Sequence, residues 1–179
     1  DPIAGDVRIA AKVTGSNPGG WTTVLVNTLR KGGQGVFALD ITDPTTFTET
    51  PTNAANTALW EFTDTNDRDL GYTYSKVQIV KMANDKWAAI FGNGYNNTDA
   101  DGNASLTGNA VLYILYIEKG VDGWVADDWV KIDTGVGITV TNTTPNGLAT
   151  PTAADVDRDG KADYIYAGDL RGNMWRFDV

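Results

Sequence analysis

Short apolar runs separated by polar turns fill the whole chain. Val24–Val26 and Val36–Leu39 are typical, because β-branched, aliphatic and aromatic residues dominate them and Gly, Asn, Asp or Pro residues lie between such runs. These runs predict β-strands, since an amphipathic helix would repeat its apolar positions every three to four residues over a longer stretch. We find no helical pattern longer than about two turns. The sequence therefore predicts an all-β fold.

A weak internal repeat groups the predicted strands into hairpins. Each copy has an aromatic or polar start, an apolar strand, a Gly- or Asn-rich turn and a second apolar strand that ends near an acidic residue. The copies begin at Trp21, Trp87 and Asp163. They are farther apart than the about 40 to 50 residues of an ordinary propeller blade. Insertions at 43–58 and 98–109 can explain much of this excess length.

These hairpins predict a β-propeller, because a hairpin cannot bury both faces alone and must pack against its neighbours. Three such units form an incomplete arc of blades rather than a closed ring. The last run, Trp175–Val179, has the pattern of a strand that needs a partner. We therefore expect residues 1–179 to be a single β-propeller-type domain or a fragment of one. A complete β-sandwich with coincidental repetition is the alternative.

Charge and hydropathy disfavour two classes of partner. The chain has 14 Lys and Arg against 23 Asp and Glu residues, for a net charge of −9. A surface this acidic offers little to nucleic acid or to anionic lipid. No apolar run approaches the roughly 20 residues of a membrane-spanning helix. No leader pattern appears at Asp1–Pro2, so we expect no membrane insertion by this segment and a start downstream of any signal.

The absence of cysteine and histidine narrows the chemistry further. Thiolate and imidazole nucleophiles, histidine-based acid and base partners, and the usual zinc and copper ligands are all missing. Cations that prefer oxygen ligands remain possible. We expect a protein that is not an enzyme.

The most specific chemistry lies in the segment Asp155–Asp163. In the calcium loop of an EF-hand, ligands come from positions 1, 3, 5, 7 and 9, with a backbone carbonyl at 7 and a glycine at 6. Gly160 is at that glycine position. The predicted ligands for Ca²⁺ are Asp155, Asp157, Asp159, the backbone carbonyl of Lys161, and Asp163. Alternate spacing suits a loop that turns every second side chain toward the ion.

One departure from the EF-hand pattern is informative. The bidentate glutamate expected at position 12 is replaced by Tyr166, and the residues around it alternate as in a strand. The sequence therefore predicts an EF-hand-like loop at 155–163 without flanking helices. A plain solvated turn is the alternative interpretation. That alternative explains a single Asp-Gly pair, but it leaves four aspartates in register without a counter-charge.

Two other acidic segments are less specific. The loop Asn96–Asn103 lacks the full alternation, so a flexible surface loop is the better interpretation, and whether it binds a second ion stays open. Asp64, Asp67 and Asp69 indicate a solvated turn first and a metal site second. Aromatic residues within or beside the strands indicate blade packing rather than ligand platforms; they are Trp21, Trp60, Trp87 and Trp175.

Several longer strings together resemble one known family across nearly the whole chain. The strings are Gly35–Asp40, Trp60–Asp64 with Asp69–Tyr72, Trp87–Tyr95, and Asp163–Asp178. They are similar to the C-terminal domain of PilY/PilC-type proteins, which are type IV pilus biogenesis factors and tip-associated adhesins. The resemblance implies a modified, quinoprotein-like β-propeller.

The same resemblance implies a functional context. It implies a place at the cell surface, pilus tip or outer membrane of a Gram-negative bacterium, with pilin or minor-pilin partners and attachment to host or abiotic surfaces. Roles in pilus extension, twitching motility and adhesion would follow, controlled by a calcium-dependent switch at 155–163. The family domain is substantially longer than 179 residues. The chain has no Arg-Gly-Asp tripeptide, so integrin binding of that type is not implied.

Two other functions remain open at this point. A generic integrin-like interaction module would carry similar calcium loops between propeller strands, although in several blades rather than one. A quinoprotein-like dehydrogenase or a glycosidase would use carboxylates for acid and base chemistry. A redox cofactor, however, would need a closed ring with converging basic groups.

Overall fold

The computed structural model describes residues 2–9, 20–99 and 103–179, which form three antiparallel sheets. The first sheet contains β1 (Ile3–Arg8), β2 (Trp21–Thr28), β3 (Gly35–Asp40) and β4 (Ala58–Thr63). The second contains β5 (Gln78–Lys81), β6 (Trp87–Gly92), β7 (Val111–Tyr116) and β8 (Trp129–Asp133). The third contains β9 (Thr152–Ala154), β10 (Tyr164–Gly168) and β11 (Met174–Asp178). In each sheet the strands neighbour one another in chain order.

The three predicted hairpins are confirmed as β2–β3, β6–β7 and β10–β11. Flanking strands extend each hairpin into a meander, which is the arrangement of a propeller blade. The first insertion contains one short helix, α1 (Pro51–Thr57). Thr50 caps it by accepting a hydrogen bond from the Asn53 N–H, and proline is its first residue. No helix among the described residues is both long and apolar enough to cross a bilayer.

The first hydrophobic core lies between the first and second sheets. Strand β2 alternates, and its buried Val24 and Val26 contribute to this core. The second sheet contributes Phe91 from β6 and Tyr113 and Leu115 from β7. Burial alternates along β2 because only one of its faces packs in this core.

A second core lies on the opposite face of the second sheet. Ile90 and Leu112 pack there with Ile165 and Phe177 of the third sheet. Strands β6 and β7 are therefore buried on both faces, and their sequences WAAIFG and VLYILY are almost continuously apolar. The second sheet is the central layer of the structure.

Aromatic rings fill the first core near Phe62 of β4. The Phe62 side chain is fully buried and meets the rings of Tyr113, Trp124 and Trp129 edge-on, at centroid distances of 5.6, 5.5 and 5.1 Å. Trp60 donates its indole N–H to the Ile117 carbonyl. Blade packing is thus confirmed for Trp60, as the sequence indicates.

The turn between β10 and β11 is held by Asp169. Its carboxylate accepts hydrogen bonds from the side chains of Asn146, Asn173 and Trp175 and from two backbone N–H groups. Desolvation opposes ionisation of Asp169, but these hydrogen bonds outweigh it and lower its pKa to about 2. Asp169 therefore fixes the segment around Asn146 against the third sheet.

Replacing Phe62 with alanine should lower the free energy of unfolding by about 3–5 kcal/mol, because the substitution leaves a cavity among three aromatic rings. The measurement is chemical denaturation followed by tryptophan fluorescence. Phe47 is the matched control, since 50% of its side chain is exposed, and Phe47→Ala should cost less than about 1 kcal/mol. Equal losses in the two variants would contradict this account of the core.

The lowered pKa of Asp169 predicts a specific loss of stability in acid. A group whose pKa is lower in the folded state stabilises the fold above its unfolded pKa and loses that contribution as the pH falls. Between about pH 4 and pH 2, stability should therefore fall more steeply in the wild type than in Asp169→Asn. Thermal melts across this pH range measure the difference, and parallel curves would contradict the prediction.

Candidate metal centre

The predicted calcium loop connects β9 to β10 at one end of the third sheet. Strand β10 starts at Tyr164, directly after the loop, and β9 ends at Ala154, directly before it. Strands rather than helices flank the loop, as the sequence predicts. Tyr166, at position 12 of the pattern, lies in β10.

Three of the predicted ligands converge. One carboxylate oxygen from each of Asp155, Asp157 and Asp159 lies within 4.8 Å of the other two. All three residues are exposed. Like charges this close repel unless a cation or hydrogen-bond donors offset them.

Backbone N–H groups of the loop offset part of the repulsion among the three carboxylates. Asp155 accepts hydrogen bonds from the N–H groups of Arg158 and Gly160, at 2.6 and 2.9 Å. Asp157 accepts one from Asp159 at 3.1 Å, and Asp159 accepts one from Lys161 at 2.8 Å. The carboxylates are thus held by their own loop, which limits the reorganisation needed to bind an ion.

The backbone of the loop turns through two residues with positive φ. Arg158 has a φ of 65° and Gly160 a φ of 87°. Glycine adopts this left-handed conformation at little cost, which accounts for its place at position 6. Val156, between two of the aspartates, points outward and is 63% exposed.

The remaining two predicted ligands are placed differently. Asp163 lies outside the group of three and accepts a hydrogen bond from the Val156 N–H at 2.6 Å, which links the two ends of the loop. Lys161 follows the third aspartate, and its side-chain ammonium lies 3.9 Å from the Asp159 carboxylate. The ligand role of the Lys161 carbonyl and of Asp163 stays a prediction, as does that of the three converging aspartates.

The loop is attached to the second sheet. The Ala162 N–H donates to the Lys81 carbonyl at 2.8 Å, and Met82 and Ala162 form a parallel bridge. Lys161 also forms an ion pair with Asp85, in the turn between β5 and β6, at 3.2 Å. Lys81 pairs with the same carboxylate at 2.8 Å. Hydrogen bonds from Lys81 and Lys161 lower the pKa of Asp85.

Beside the loop is an open cleft of about 270 Å³. It lies between the second and third sheets, and Trp87, Asp155 and Lys161 line it together with the inner strands β5 and β9. Trp87 meets the half-exposed ring of Trp21 edge-on at 5.9 Å. One side of the candidate metal centre therefore faces this cleft, and its aspartates are exposed to solvent.

The segment Asp64–Asp69 differs from the predicted solvated turn. Asp69 is buried, and the Lys131 ammonium binds the carboxylates of both Asp67 and Asp69. Desolvation would lower the pKa of Lys131, but hydrogen bonds to Asp69 and Asp67 outweigh it and raise that pKa. The solvated-turn interpretation was wrong for Asp69, because Asp69 is buried and Lys131 of β8 is its counter-charge.

Tyr113 and Ser105 complete this polar network. The Tyr113 hydroxyl donates to Asp67 at 2.8 Å, and the Ser105 hydroxyl donates to Asp69. Burial, reinforced by the charge of Asp67, raises the pKa of Tyr113 well above its ordinary value. The arrangement can hold a loop against the central sheet without a metal.

The segment Asn96–Asn103 is described only in part, since residues 100–102 lie outside the described residues. Asn97 is buried, and its amide donates to the carbonyls of Asp69 and Asn109. The Asn103 N–H donates to Asp64 at 2.7 Å. The surface-loop interpretation is therefore wrong at Asn97.

Sequence reasoning missed Asp85 and Lys81 as neighbours of the candidate metal centre. They are 70 or more positions from Lys161 in the sequence, and only the packing of the second sheet on the third brings them together. The turn pattern Asn84-Asp85 predicts a hairpin turn but carries no sign of its partner.

Comparison with known proteins identifies the family. A profile of the PilY1 β-propeller domain matches residues 4–179. The chain belongs to the PilY1 β-propeller domain family. The predicted arc of propeller blades, rather than a β-sandwich, is thereby confirmed.

Individual relatives agree with this assignment. The chain is 41% identical over 161 residues to the type IV pilus biogenesis factor PilY1 of Pseudomonas aeruginosa, and 40% identical over 163 residues to a PilY1 homologue of Xylella fastidiosa. Each alignment covers 90% of this chain, but 12% and 10% of those proteins. The chain therefore spans about a tenth of the length of these relatives.

A solved structure shows the same fold. The crystal structure of the P. aeruginosa PilY1 C-terminal domain matches this chain with a TM-score of 0.72 and 38% sequence identity. The match covers 100% of this chain and 30% of the solved chain. The three sheets are thus part of a PilY1-type propeller.

Replacing Lys131 with methionine should destabilise the fold by about 2–4 kcal/mol, because two neighbouring carboxylates lose their shared counter-charge. Chemical denaturation at pH 7 provides the measurement. Lys31→Met, at an exposed position, is the control and should have little effect. An unchanged unfolding free energy in Lys131→Met would contradict the role of the network.

Proposed function

We propose that this chain is a calcium-binding part of a type IV pilus biogenesis factor and tip adhesin, without catalytic activity. The observation that supports the proposal is the convergence of Asp155, Asp157 and Asp159 in a loop between two propeller strands. Membership of the PilY1 β-propeller domain family supplies the context.

The donor chemistry of the loop suits Ca²⁺. Carboxylate and carbonyl oxygens are ligands of hard cations, whereas zinc and copper sites use sulfur or imidazole donors, which this chain lacks. Five groups would hold the ion: Asp155, Asp157, Asp159, the Lys161 carbonyl and Asp163. Calcium takes 6–8 oxygen ligands, so water would supply the rest.

In this proposal the ion stabilises the third sheet. It would neutralise repulsion among the three converging carboxylates and fix the connection between β9 and β10. Asp163 links that connection to the C-terminal strand, because its carbonyl accepts a hydrogen bond from the Val179 N–H at 3.1 Å. A change in order of this hairpin would alter the surface available to a partner, which is the basis of the proposed switch.

The proposed biological role is inferred from the relatives, which are named as type IV pilus biogenesis factors. We place the chain at the cell surface, at the pilus tip or in association with the outer membrane. Its partners would be pilin or minor pilins and a host or abiotic surface. Calcium occupancy would support pilus extension, twitching motility and attachment.

The affinity is expected to be low. The loop lacks the bidentate glutamate of an EF-hand, since Tyr166 stands at position 12. Loops of this kind in extracellular proteins bind with dissociation constants of about 10⁻⁴ to 10⁻³ M. Such a value would match a setting where calcium is abundant.

Calcium titration of the purified chain tests the proposal. Isothermal calorimetry should show saturable binding of calcium in preference to magnesium. At ten times Kd, calcium should stabilise the fold by about 1.4 kcal/mol. Asp157→Ala and Asp159→Ala should each abolish both signals.

Glu49→Ala is the matched control, because Glu49 is an exposed acidic residue in the first insertion. It should bind calcium as the wild type does. Absence of calcium binding by the wild type at millimolar concentration would refute the proposal. An unchanged calcium shift in both aspartate variants would exclude this loop as the site.

A further inference from the structure

The side chain of Lys161 lies between two competing carboxylates. Its ammonium is 3.2 Å from Asp85 of the second sheet and 3.9 Å from Asp159, a candidate ligand of the ion. The side chain of Lys161 is only 25% exposed, so its choice of positions is limited. The shorter distance shows that Asp85 holds the ammonium more closely than Asp159 does.

The position of Asp85 is set independently of the loop. The turn that carries it is closed by hydrogen bonds from the Asp85 N–H to the Met82 carbonyl and from the Met82 N–H to the Lys86 carbonyl, both 2.9 Å. Asp85 has a φ of 65°, in the left-handed region, which aspartate and asparagine adopt more readily than most other residues.

An ammonium beside the loop competes with a calcium ion. If Lys161 pairs fully with Asp159, a positive charge occupies the carboxylate that the ion requires, and it also repels the double charge of the ion. If Asp85 holds the ammonium, Asp159 is free to bind. Lys161 would therefore oppose ion binding when paired with Asp159 and permit it when held by Asp85.

We propose that Asp85 is a positioning residue that sets the calcium affinity of the loop by holding the Lys161 ammonium away from Asp159. This inference rests on the proposed function, and it adds a residue of the central sheet to the candidate metal centre. Because binding linkage is reciprocal, calcium binding also strengthens the contact of Lys161 with Asp85. The ion thereby tightens the contact between the second and third sheets.

Calcium affinity in single variants provides the first test. Lys161→Met removes the competing cation and should lower Kd by about three- to tenfold at low salt. Asp85→Asn, which tolerates the left-handed backbone, should raise Kd by about two- to fivefold, since it releases the ammonium toward Asp159. Both effects should diminish in 0.5 M salt, at which exposed charges are screened beyond about 4 Å.

A double-mutant cycle separates positioning from a direct effect of charge. Asp85→Asn changes log Kd by some amount in the wild type. In the Lys161→Met background the same substitution should change log Kd by less than about half of that amount. Lys31→Met and Glu49→Gln are the charge-matched controls at exposed sites, and neither should change Kd. Equal effects of Asp85→Asn in both backgrounds would overturn the proposal, as would an unchanged Kd in Lys161→Met.

The wild-type titration distinguishes this failure from failure of the proposed function. If the wild type binds calcium and the variants bind it with the same Kd, only the role of Asp85 and Lys161 is refuted. A wild type that does not bind calcium would refute both. Melting temperatures in the absence of calcium show whether each variant is folded.

Discussion

Burial of the central sheet on both faces is the constraint on which the structure depends. Successive residues of β6 point into different cores, so Phe91 packs toward the first sheet and Ile90 toward the third. A one-residue shift in register would exchange the two sets of side chains. Phe91 and Ile90 differ in shape, so neither fits the core of the other. Packing in the two cores therefore fixes the register of β6. The outer sheets are therefore aligned through the middle one.

Sequence periodicity predicts the hairpins well because burial leaves a strong pattern. Strand β7 is continuously apolar because both of its faces are buried, and β2, buried on one face, has valines at two of its buried positions. Strand β9 has only three residues, too few to show a period. The convergence of Asp155, Asp157 and Asp159 is also predictable, since the three residues alternate and are local in sequence.

Contacts between distant segments are not predictable in this way. Asp69 and Lys131 are far apart in sequence, as are Asp85 and Lys161, and each pair meets only because two sheets pack. An acidic turn looks the same in sequence whether solvent, a lysine or a metal neutralises it. The Asp67–Asp69 turn and the Asp155–Asp163 loop show two of these outcomes: the first receives a lysine from β8, and the second leaves three carboxylates exposed.

The attachment of the candidate loop is unequal at its two ends. Its exit at Ala162 is hydrogen-bonded to the central sheet, and the following strand pairs with neighbours on both sides. Its entry follows β9, which pairs with β10 at only three positions. An ion that joined Asp155 at the entry to Asp159 near the exit would tie these two parts of the loop together, so the loop would act as a brace against extension when the chain is pulled.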